Sequence, residues 1–556
     1  MHSRPGVGFG GRTSAVEFPG DLLTPFGVFC LLDGQQAAGG DAFLFEGALG
    51  RYSYVGVGGS PLGGEAPAAA RLTVRGGAVE QAGLRGLPAE PLAALRAALG
   101  GMAVPRIPGL PPFCGGLAGY LGWGATRFSE RLPQRLGPDP LFPEADLLFV
   151  RELVAFDHRQ GRAWAVACGS GDGDDAPEVR ARALADRVLR VFDGARGGTG
   201  RARGRGEGAR AADDGRYSEL RWPAALRIPA APPVPRKLKG ARSPGAAEGF
   251  SIEPLPLGGG KDAFLAGARR ALRYIRAGDI FQVVLSQRFE LPDCDGFSLY
   301  RTLRAASPAP YHFYLRLGGR ELFGASPELL VQVEAGEVTV RPIAGTRRRG
   351  DSDAEDAALE AELRADPKER AEHVMLVDLG RNDVGRVAET GSVRVRRLME
   401  IERFSHVMHL TSEVTGALRR ELDAVDALAA AFPAGTLSGA PKIRACQVID
   451  ELESVPRGPY GGAVGWLSAA GDVQLAIAIR TLFRSGGRLF AQAGAGIVAD
   501  SDPAAEWREV LAKVRASVGA AYGAAAGASA GGARASPGGA SRAAARTSAR
   551  ARGGSR

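Results

Sequence analysis

This chain has no long apolar runs, no clustered cysteines and few lysines. The first two of these features each exclude a class of protein. No apolar run approaches the ~20 residues that a membrane-spanning helix requires, and the N-terminus has no apolar segment like that of a secretory signal. The five cysteines are scattered without CxxC spacing, which argues against a zinc site or a disulfide framework. We therefore expect a cytoplasmic protein that does not enter a membrane.

Lysine is rare compared with arginine, and only six of the 70 basic residues are lysines. Where arginine is the usual cation, a lysine suggests a need for a compact point charge rather than a planar fork. Three of the lysines lie in or beside the motifs described below: Lys368, Lys442 and Lys513.

The net charge of +9 comes from two segments rich in Gly, Ala and Arg. Residues 196–242 carry twelve Lys and Arg against four Asp and Glu, and residues 523–556 carry six Arg and no acidic residue. Segments of this composition cannot bury a core. Because no aromatic residues alternate with the basic ones, we expect flexible segments that do not bind nucleic acid.

The composition divides the 556 residues into four parts, and the length allows two or more domains. We predict a first region at 17–193, a basic linker at 194–249, a second region at 250–520 and a disordered tail at 521–556. Strands in hairpins and meanders are mixed with helices in the second region. This mixture favours an α+β fold rather than a βαβ series.

Alternation and helix-start signals predict individual elements of the second region. Strands are predicted at 311–317, 329–334 and 476–483, and helices at 367–387 and 503–519.

Two helix starts far apart in the chain share one pattern. At Asp366-Pro367 and Asp502-Pro503, an Asp N-cap precedes Pro at the first helical position. Each start is followed by two glutamates three residues apart, which share a helix face. Two such faces brought together would crowd four carboxylates, which repel unless a cation lies among them. Oxygen ligands suit Mg²⁺, although each pair could instead be a solvated first turn favoured by the helix dipole. The four carboxylates belong to Glu369, Glu372, Glu506 and Glu509.

Several further motifs follow one another in a specific order. They are GASPEL at 324–329, RPIAGT at 341–346, PAGTLSGAPK at 433–442, RT at 480–481 and QAGAGIV at 492–498. In this order they resemble the motifs of the chorismate-utilising enzymes, most closely those of the large subunits (component I) of anthranilate synthases. The resemblance extends from about 250 to 518 and, more weakly, from about 23 to 167.

The resemblance implies a fold and a reaction. The fold is α+β, with large antiparallel sheets packed face to face and helices outside. The reaction is that of a Mg²⁺-dependent lyase of tryptophan biosynthesis, which converts chorismate and ammonia to anthranilate and pyruvate. By the same resemblance Glu372 and Glu509 contact the metal directly, and Glu369 and Glu506 hold its waters.

Loss of the ring hydroxyl of chorismate needs an acid, because hydroxide is a poor leaving group. Glu328 matches the general acid of the family, although it could be a structural residue at a strand start. His409 matches the active-site histidine, which assists the elimination, and Thr436 matches a hydroxyl that contacts the ring.

The substrate carboxylates need a cationic fork and backbone donors. Arg480 suits the fork as a bidentate partner, and Tyr460 could add a phenolic hydrogen bond. Backbone N–H groups could come from a run of small residues, although such a run is often only a tight strand crossing: Gly494, Ala495 and Gly496.

Two lysines have alternative roles. Lys513 lies four residues after Glu509, where it can offset carboxylate charge at the substrate site or form an ordinary i, i+4 ion pair worth ~0.3–0.5 kcal/mol. For Lys442, structural and site roles are equally plausible.

Two positions discriminate among the reactions of the family. Relatives that form isochorismate or salicylate carry a lysine base where this chain has Gln282, and an amide cannot deprotonate water. Relatives that form aminodeoxychorismate carry a nucleophilic lysine where this chain has Ala344. Both positions favour anthranilate as the product. The alternatives are an aminodeoxychorismate synthase component I of folate synthesis, or a non-catalytic protein that senses chorismate or tryptophan.

Ammonia is scarce at neutral pH, and this chain has no cysteine in a Gly-x-Cys-x-Gly elbow. We therefore expect a separate glutamine amidotransferase subunit that supplies ammonia, in a hetero-oligomer.

A tryptophan feedback site is also implied by the resemblance, but its motifs depart from the family pattern. The two segments are LFEG at 44–47 and SPAPYHF at 307–313, with departures at Gly47, Ser307 and His312. The residues that could form the site are Glu46, Pro308, Tyr311 and Phe313.

Overall fold

The structure is a computed structural model of the chain. It describes residues 11–193, except 22, 35–38, 48–50, 59–69, 103 and 170–175, and residues 254–522, except 405–406. The predicted linker and most of the predicted tail lie outside the described residues, so the four-part division stays a prediction. No helix in the described ranges combines the length and the apolar character that a membrane span requires.

The described residues form helices α1–α11 and one 3₁₀ turn at Trp123–Phe128. In chain order the helices are Pro25–Asp33, Pro91–Gly100, Pro177–Asp193, Gly260–Arg276, Gly296–Ala306, Asp353–Ala365, Pro367–Gly385, Ala424–Ala431, Gly435–Ser438, Lys442–Leu452 and Pro503–Tyr522.

The described residues also form strands β1–β23. In chain order they are Arg12–Pro19, Ala42–Glu46, Tyr52–Val57, Arg71–Arg75, Ala78–Ala82, Gly116–Leu121, Ala145–Val150, Glu152–Asp157, Arg162–Gly169, Leu255–Pro256, Gln282–Leu291, Tyr311–Leu317, Arg320–Ser326, Leu329–Glu334, Glu337–Val340, Ile343–Arg348, Arg394–Arg403, Val407–Ala417, Gly439–Ala440, Ala463–Ser468, Val473–Ile477, Thr481–Ser485 and Arg488–Ile497.

The strands form two antiparallel sheets. Sheet A has the order β1-β9-β8-β3-β2-β12-β13-β22-β23-β11-β10, with β19 also paired to β11. Sheet B has the order β16-β18-β15-β14-β21-β20-β6-β7-β4-β5, with β17 also paired to β18. Aromatic side chains from both sheets meet between them; Trp466 of sheet B lies 5.6 Å from Tyr54 of sheet A, ring centre to ring centre. Helix α11 packs on α4 and α5, and all three pack on sheet A. The predicted α+β fold with face-to-face sheets is therefore confirmed.

Both sheets contain strands from both predicted regions. In sheet A, β2 pairs with β12, so that Phe45 lies opposite Phe313. In sheet B, β6 pairs with β20, so that Ala118 lies opposite Trp466. The two regions therefore share one core rather than forming separate layers.

The chain passes from one sheet to the other at two places that matter for the site. Pro327-Glu328 connects β13 of sheet A to β14 of sheet B, and residues 478–480 connect β21 of sheet B to β22 of sheet A. The prediction of one continuous strand at 476–483 is wrong, because Arg480 has a φ of 52° and redirects the chain. No Gly or Pro marks this break in the sequence.

The two predicted helix starts are confirmed. The Asp366 carboxylate accepts hydrogen bonds from the backbone N–H groups of Lys368 and Glu369 at 2.9 and 3.2 Å. The Asp502 carboxylate accepts from the N–H groups of Ala504 and Ala505 at 3.3 and 2.9 Å. Helix α7 packs on β16 and β18, and α11 packs on β23.

Lys442 has a structural role in this fold. Its buried ammonium donates to both carboxylate oxygens of Asp383 at 2.8 and 2.9 Å and to the Ala431 carbonyl at 3.1 Å. The pair joins α10 to α7, the helix that carries Glu372.

Lys442→Met is expected to lower the free energy of unfolding by about 3–5 kcal/mol, because it leaves a buried carboxylate without its partner. The exposed Lys261 provides a control, and Lys261→Met should change it by less than about 0.5 kcal/mol. Urea unfolding followed by fluorescence measures both values. Equal stabilities of the two variants would contradict the structural role.

Candidate active site

A cavity of about 220 Å³ lies where the two sheet crossovers meet α7 and α11. Its mixed polar and apolar walls are typical of a site for a small ligand. Ten of the residues predicted for the site line it: Gln282, Glu328, Glu372, Thr436, Tyr460, Arg480, Gly494, Gly496, Glu509 and Lys513.

Glu328 is buried on the wall of this cavity, with 7% of its surface exposed. Burial raises the pKa of its carboxyl to about 8, although the hydrogen bond from Thr436 acts in the opposite direction. The Thr436 hydroxyl donates to Glu328 Oε1 at 3.0 Å. Glu328 is therefore mostly protonated at neutral pH and can donate a proton to a leaving group.

Arg480 contributes a cationic wall. Its side chain is partly buried, and burial lowers the pKa of the guanidinium, although Tyr460 and Glu509 act in the opposite direction. Among the described residues no carboxylate forms an ion pair with Arg480. Its donors therefore remain available for an anionic group of a ligand.

Tyr460 and Gly494 lie against each other in the wall. A Cβ at Gly494 would lie 2.9 Å from the Tyr460 hydroxyl oxygen and 2.8 Å from the Leu285 carbonyl oxygen. Glycine is needed at this position because any side chain would displace the phenol.

Gln282 begins β11, where it lies opposite Ala440 of β19. Its side chain is buried, and its Oε1 atom has no hydrogen-bond partner. A Cβ at Gly496 would lie 2.7 Å from Gln282 Nε2, so glycine leaves room for this amide. Ala495, which lies between the two cavity glycines, is fully buried with the core residues on the other face of β23.

Two carboxylates from the predicted metal set, Glu372 of α7 and Glu509 of α11, line the cavity. Burial raises the pKa of Glu372, and the carboxylates of Glu369 and Glu509 raise it further. Lys513 pairs with Glu509 at 2.6 Å and donates to the Gly494 carbonyl at 2.9 Å, so the predicted i, i+4 ion pair is present, while its role at the substrate site stays a prediction.

The donor set fits a cation that takes one or two carboxylates, waters and a ligand. In the described part of the chain no group of three or more His, Cys, Asp or Glu side chains is assembled closely enough to hold a metal by itself. Glu369 and Glu506 do not line the cavity. Glu369 pairs with Arg347 at 3.3 Å, and burial raises the pKa of Glu506, which accepts a hydrogen bond from Ser501.

His409 lies beside the cavity and does not line it. Its Nδ1 is 3.1 Å from the Gly345 carbonyl, to which it can donate, and its ring packs edge-on against Phe404. Burial lowers the pKa of the imidazole, and the nearby Arg480 charge lowers it further.

Three of the four residues predicted for a tryptophan site lie on sheet A, on two different faces. Tyr311 and Phe313 share the face of β12 that is turned toward sheet B. Glu46 belongs to the opposite face, because strand neighbours alternate. Its carboxylate accepts from Arg304 Nε at 2.6 Å and from the Tyr300 hydroxyl at 2.8 Å, while Pro308 is exposed on the surface.

Other residues line the cavity that sequence reasoning did not single out. Gln492 begins the QAGAGIV motif and could have been found from its position there. Among the apolar lining residues, Ile343 and Leu437 lie in the RPIAGT and PAGTLSGAPK motifs. The others carry no such signal: Val284, Leu376 and Ile479.

Comparisons with known proteins identify relatives of this chain. A family model described as chorismate binding enzyme matches residues 233–519. The anthranilate synthase component 1 of Streptomyces coelicolor is 44% identical over 507 residues, which are 90% of this chain and 87% of the relative. That of Pseudomonas aeruginosa is 44% identical over 433 residues, 77% of this chain and 79% of the relative.

Solved structures are also similar to this chain. The crystal structure of anthranilate synthase component I from Streptococcus pneumoniae has a TM-score of 0.63 and 33% identity, and covers 90% of this chain and 98% of that chain. The isochorismate synthase MenF of Escherichia coli, at 19% identity and a TM-score of 0.59, shares the fold. The chain therefore belongs to the chorismate-binding enzyme family, within the group of anthranilate synthase component 1 proteins.

Proposed function

We propose that this chain is the large subunit of an anthranilate synthase, which converts chorismate and ammonia to anthranilate and pyruvate. The observation that carries the proposal is the convergence of a buried acid, Glu328, and a free cationic fork, Arg480, on one cavity of about 220 Å³. The names and identities of the relatives support it.

The cavity residues match the chemical needs of the substrate. Chorismate carries two carboxylates, for which Arg480 and the backbone beside Gly494 and Gly496 supply donors. The ring hydroxyl must leave with a proton, which Glu328 can donate while Thr436 orients its carboxyl group. Contacts to the second carboxylate of the substrate and to the cavity walls would hold the ring in place for attack by ammonia.

Two side chains favour ammonia over other nucleophiles. Gln282 lines the cavity where a lysine base would activate water, and its amide cannot take up a proton at neutral pH. Ala344 has no nucleophilic group to attack the ring. Ammonia must therefore reach the cavity from outside, and we propose that a separate glutamine amidotransferase subunit supplies it. The free cysteines of the described chain are consistent with a cytoplasmic enzyme.

Mg²⁺ is the proposed cofactor, with Glu372 and Glu509 as its protein ligands and Glu369 and Glu506 near its waters. When bound, it would neutralise the ring carboxylate and withdraw charge from the ring. Lys513 would compensate part of the remaining carboxylate charge.

Incubation with chorismate, Mg²⁺ and ammonium at alkaline pH tests this function. We expect anthranilate fluorescence without any second protein, because free ammonia replaces the amidotransferase. Mass spectrometry of the product provides the control. A para-substituted product would instead assign the chain to aminodeoxychorismate synthesis, and no turnover would favour a sensing role.

A further inference from the structure

Arg457 is a buried, extensively hydrogen-bonded cation near the cavity, although it does not line it. The side chain is 2% exposed. Its Nε donates to Glu453 Oε2 at 2.9 Å, and its Nη2 donates to Glu453 Oε1 at 2.6 Å. Its guanidinium lies 4.1 Å from the ring centre of Trp123 and 5.7 Å from that of Tyr460.

The remaining donors of Arg457 hold two backbone carbonyls. Nη1 donates to the Leu437 carbonyl at 2.7 Å, and Nη2 also donates to the Val284 carbonyl at 2.6 Å. Leu437 directly follows Thr436, whose hydroxyl bonds Glu328, and Val284 lies on β11 two residues after Gln282. One planar fork therefore connects two walls of the cavity and lies beside a third, at Tyr460.

The segment that carries Thr436 has few bonds of its own to hold it. Helix α9 has four residues, and its N-cap, Ala434, makes no side-chain capping bond. A helix of this length has little stability in isolation. The position of the Thr436 hydroxyl therefore depends on contacts from outside the helix, of which the bond from Arg457 to the Leu437 carbonyl is one.

Glu453 extends the same network to a further wall. Its Oε1 accepts from the Ser286 backbone N–H and from the Ser286 hydroxyl, both at 2.8 Å. The Ser286 hydroxyl in turn accepts from Gln492 Nε2 at 2.9 Å, and Gln492 lines the cavity. The Arg457–Glu453 pair thus bonds to α9 through Leu437 and to β11 through Val284 and Ser286, and it reaches β23 through the bond from Gln492 to Ser286.

We propose that Arg457 is a positioning residue of the active site: by holding the Leu437 and Val284 carbonyls together, it keeps the Thr436 hydroxyl on the Glu328 carboxyl group. The expected effect of Arg457 on turnover rests on the proposed function. Its expected effect on the bond between Thr436 and Glu328 rests on geometry alone. Lysine cannot replace arginine here, because one ammonium cannot make bonds to both carbonyls and to Glu453 in the geometry of the planar fork.

Arg457→Lys keeps the buried charge, so the variant should fold. We expect kcat to fall roughly 10- to 100-fold, while the dissociation constant of chorismate changes less than about threefold, because Arg457 does not contact the cavity. Glu328 should become harder to ionise when the Thr436 bond is lost, since that bond lowers its pKa. The other charged groups lining the cavity, Glu372, Arg480, Glu509 and Lys513, are unchanged in the variant.

An infrared difference titration measures the ionisation of Glu328, with the spectrum of Glu328→Gln identifying its carboxyl band. Thr436→Val should shift the titration in the same direction, and the Arg457→Lys/Thr436→Val double variant should add little, because the two changes act on one bond. Arg180→Lys is the matched control. It weakens another buried arginine–glutamate pair, Arg180–Glu152 at 3.2 Å, away from the cavity.

A positioning role predicts that Arg457→Lys moves the Glu328 titration and that Arg180→Lys does not. An unchanged Glu328 titration in Arg457→Lys, with only the loss of stability seen in Arg180→Lys, would overturn the inference. A shifted titration in a protein that makes no anthranilate would uphold the positioning role and reject the proposed function.

Discussion

Glu328→Gln will lower kcat with ammonia by roughly 10²–10⁴-fold, the usual contribution of a positioned general acid. Glutamine has nearly the same shape and can still accept the hydrogen bond from Thr436, so the cavity should keep its form and bind chorismate. Steady-state rates from anthranilate fluorescence and a separate binding titration distinguish the two effects. Glu334→Gln on the exposed end of β14 provides a control that should retain full activity.

The pH dependence of the wild-type enzyme gives the same prediction a second test. Because burial raises the pKa of Glu328 to about 8, the acid form is present below that pH and is lost above it. At a constant concentration of unprotonated ammonia, kcat/KM should therefore fall about tenfold per pH unit above pH ~8. The residual activity of Glu328→Gln should lack this alkaline decline. A decline of equal size in both proteins would show that another group is responsible.

Glu372→Gln will remove most of the Mg²⁺-dependent turnover, at least about 10³-fold, because a metal at this place would supply several kcal/mol of charge stabilisation. Glu509→Gln should act in the same way, since both side chains line the cavity. Glu362→Gln is a suitable control, because Glu362 is exposed and lies on the neighbouring helix α6. Activity measured against Mg²⁺ concentration, and in excess chelator, checks the prediction.

Thermal unfolding provides a readout for Glu372→Gln that does not depend on activity. Crowding by Glu369 and Glu509 and burial disfavour the ionised form of Glu372. The neutral amide should therefore leave the metal-free protein at least as stable as the wild type. Mg²⁺ should raise the Tm of the wild type, because an ion that binds the folded state stabilises that state. The increase should be smaller in the variant, which lacks one of the proposed metal-binding carboxylates. Equal increases in Tm for both proteins would contradict the proposed ligands.

Local signals in the sequence predict much of the secondary structure. The Asp-Pro pairs predict the starts of α7 and α11, and both helices begin there. Alternation predicts the bounds of β12 and β14, which the structure reproduces residue for residue. These elements depend on capping and on a period of two, which involve only neighbouring residues.

Other features had no local signal. The strand predicted across 476–483 is broken at Arg480, because the chain leaves one sheet for the other at that residue. Glu46 turns away from Tyr311 because paired strands place alternate residues on opposite faces, and Arg304 then binds its carboxylate. The structural role of Lys442 depends on its bond to Asp383, which lies 59 residues earlier in the chain.

Motif order and residue chemistry are readable without coordinates, so the sequence alone identified the family of this protein and predicted an acid, a cation and four helix-borne carboxylates for its site. Three-dimensional folding was needed to show that two sheet crossovers bring Glu328 and Arg480 to one cavity, and that Arg457 bonds to two carbonyls behind it. The reason is physical: burial, shifted pKa values and hydrogen bonds to distant carbonyls arise from contacts between segments that are far apart in the chain.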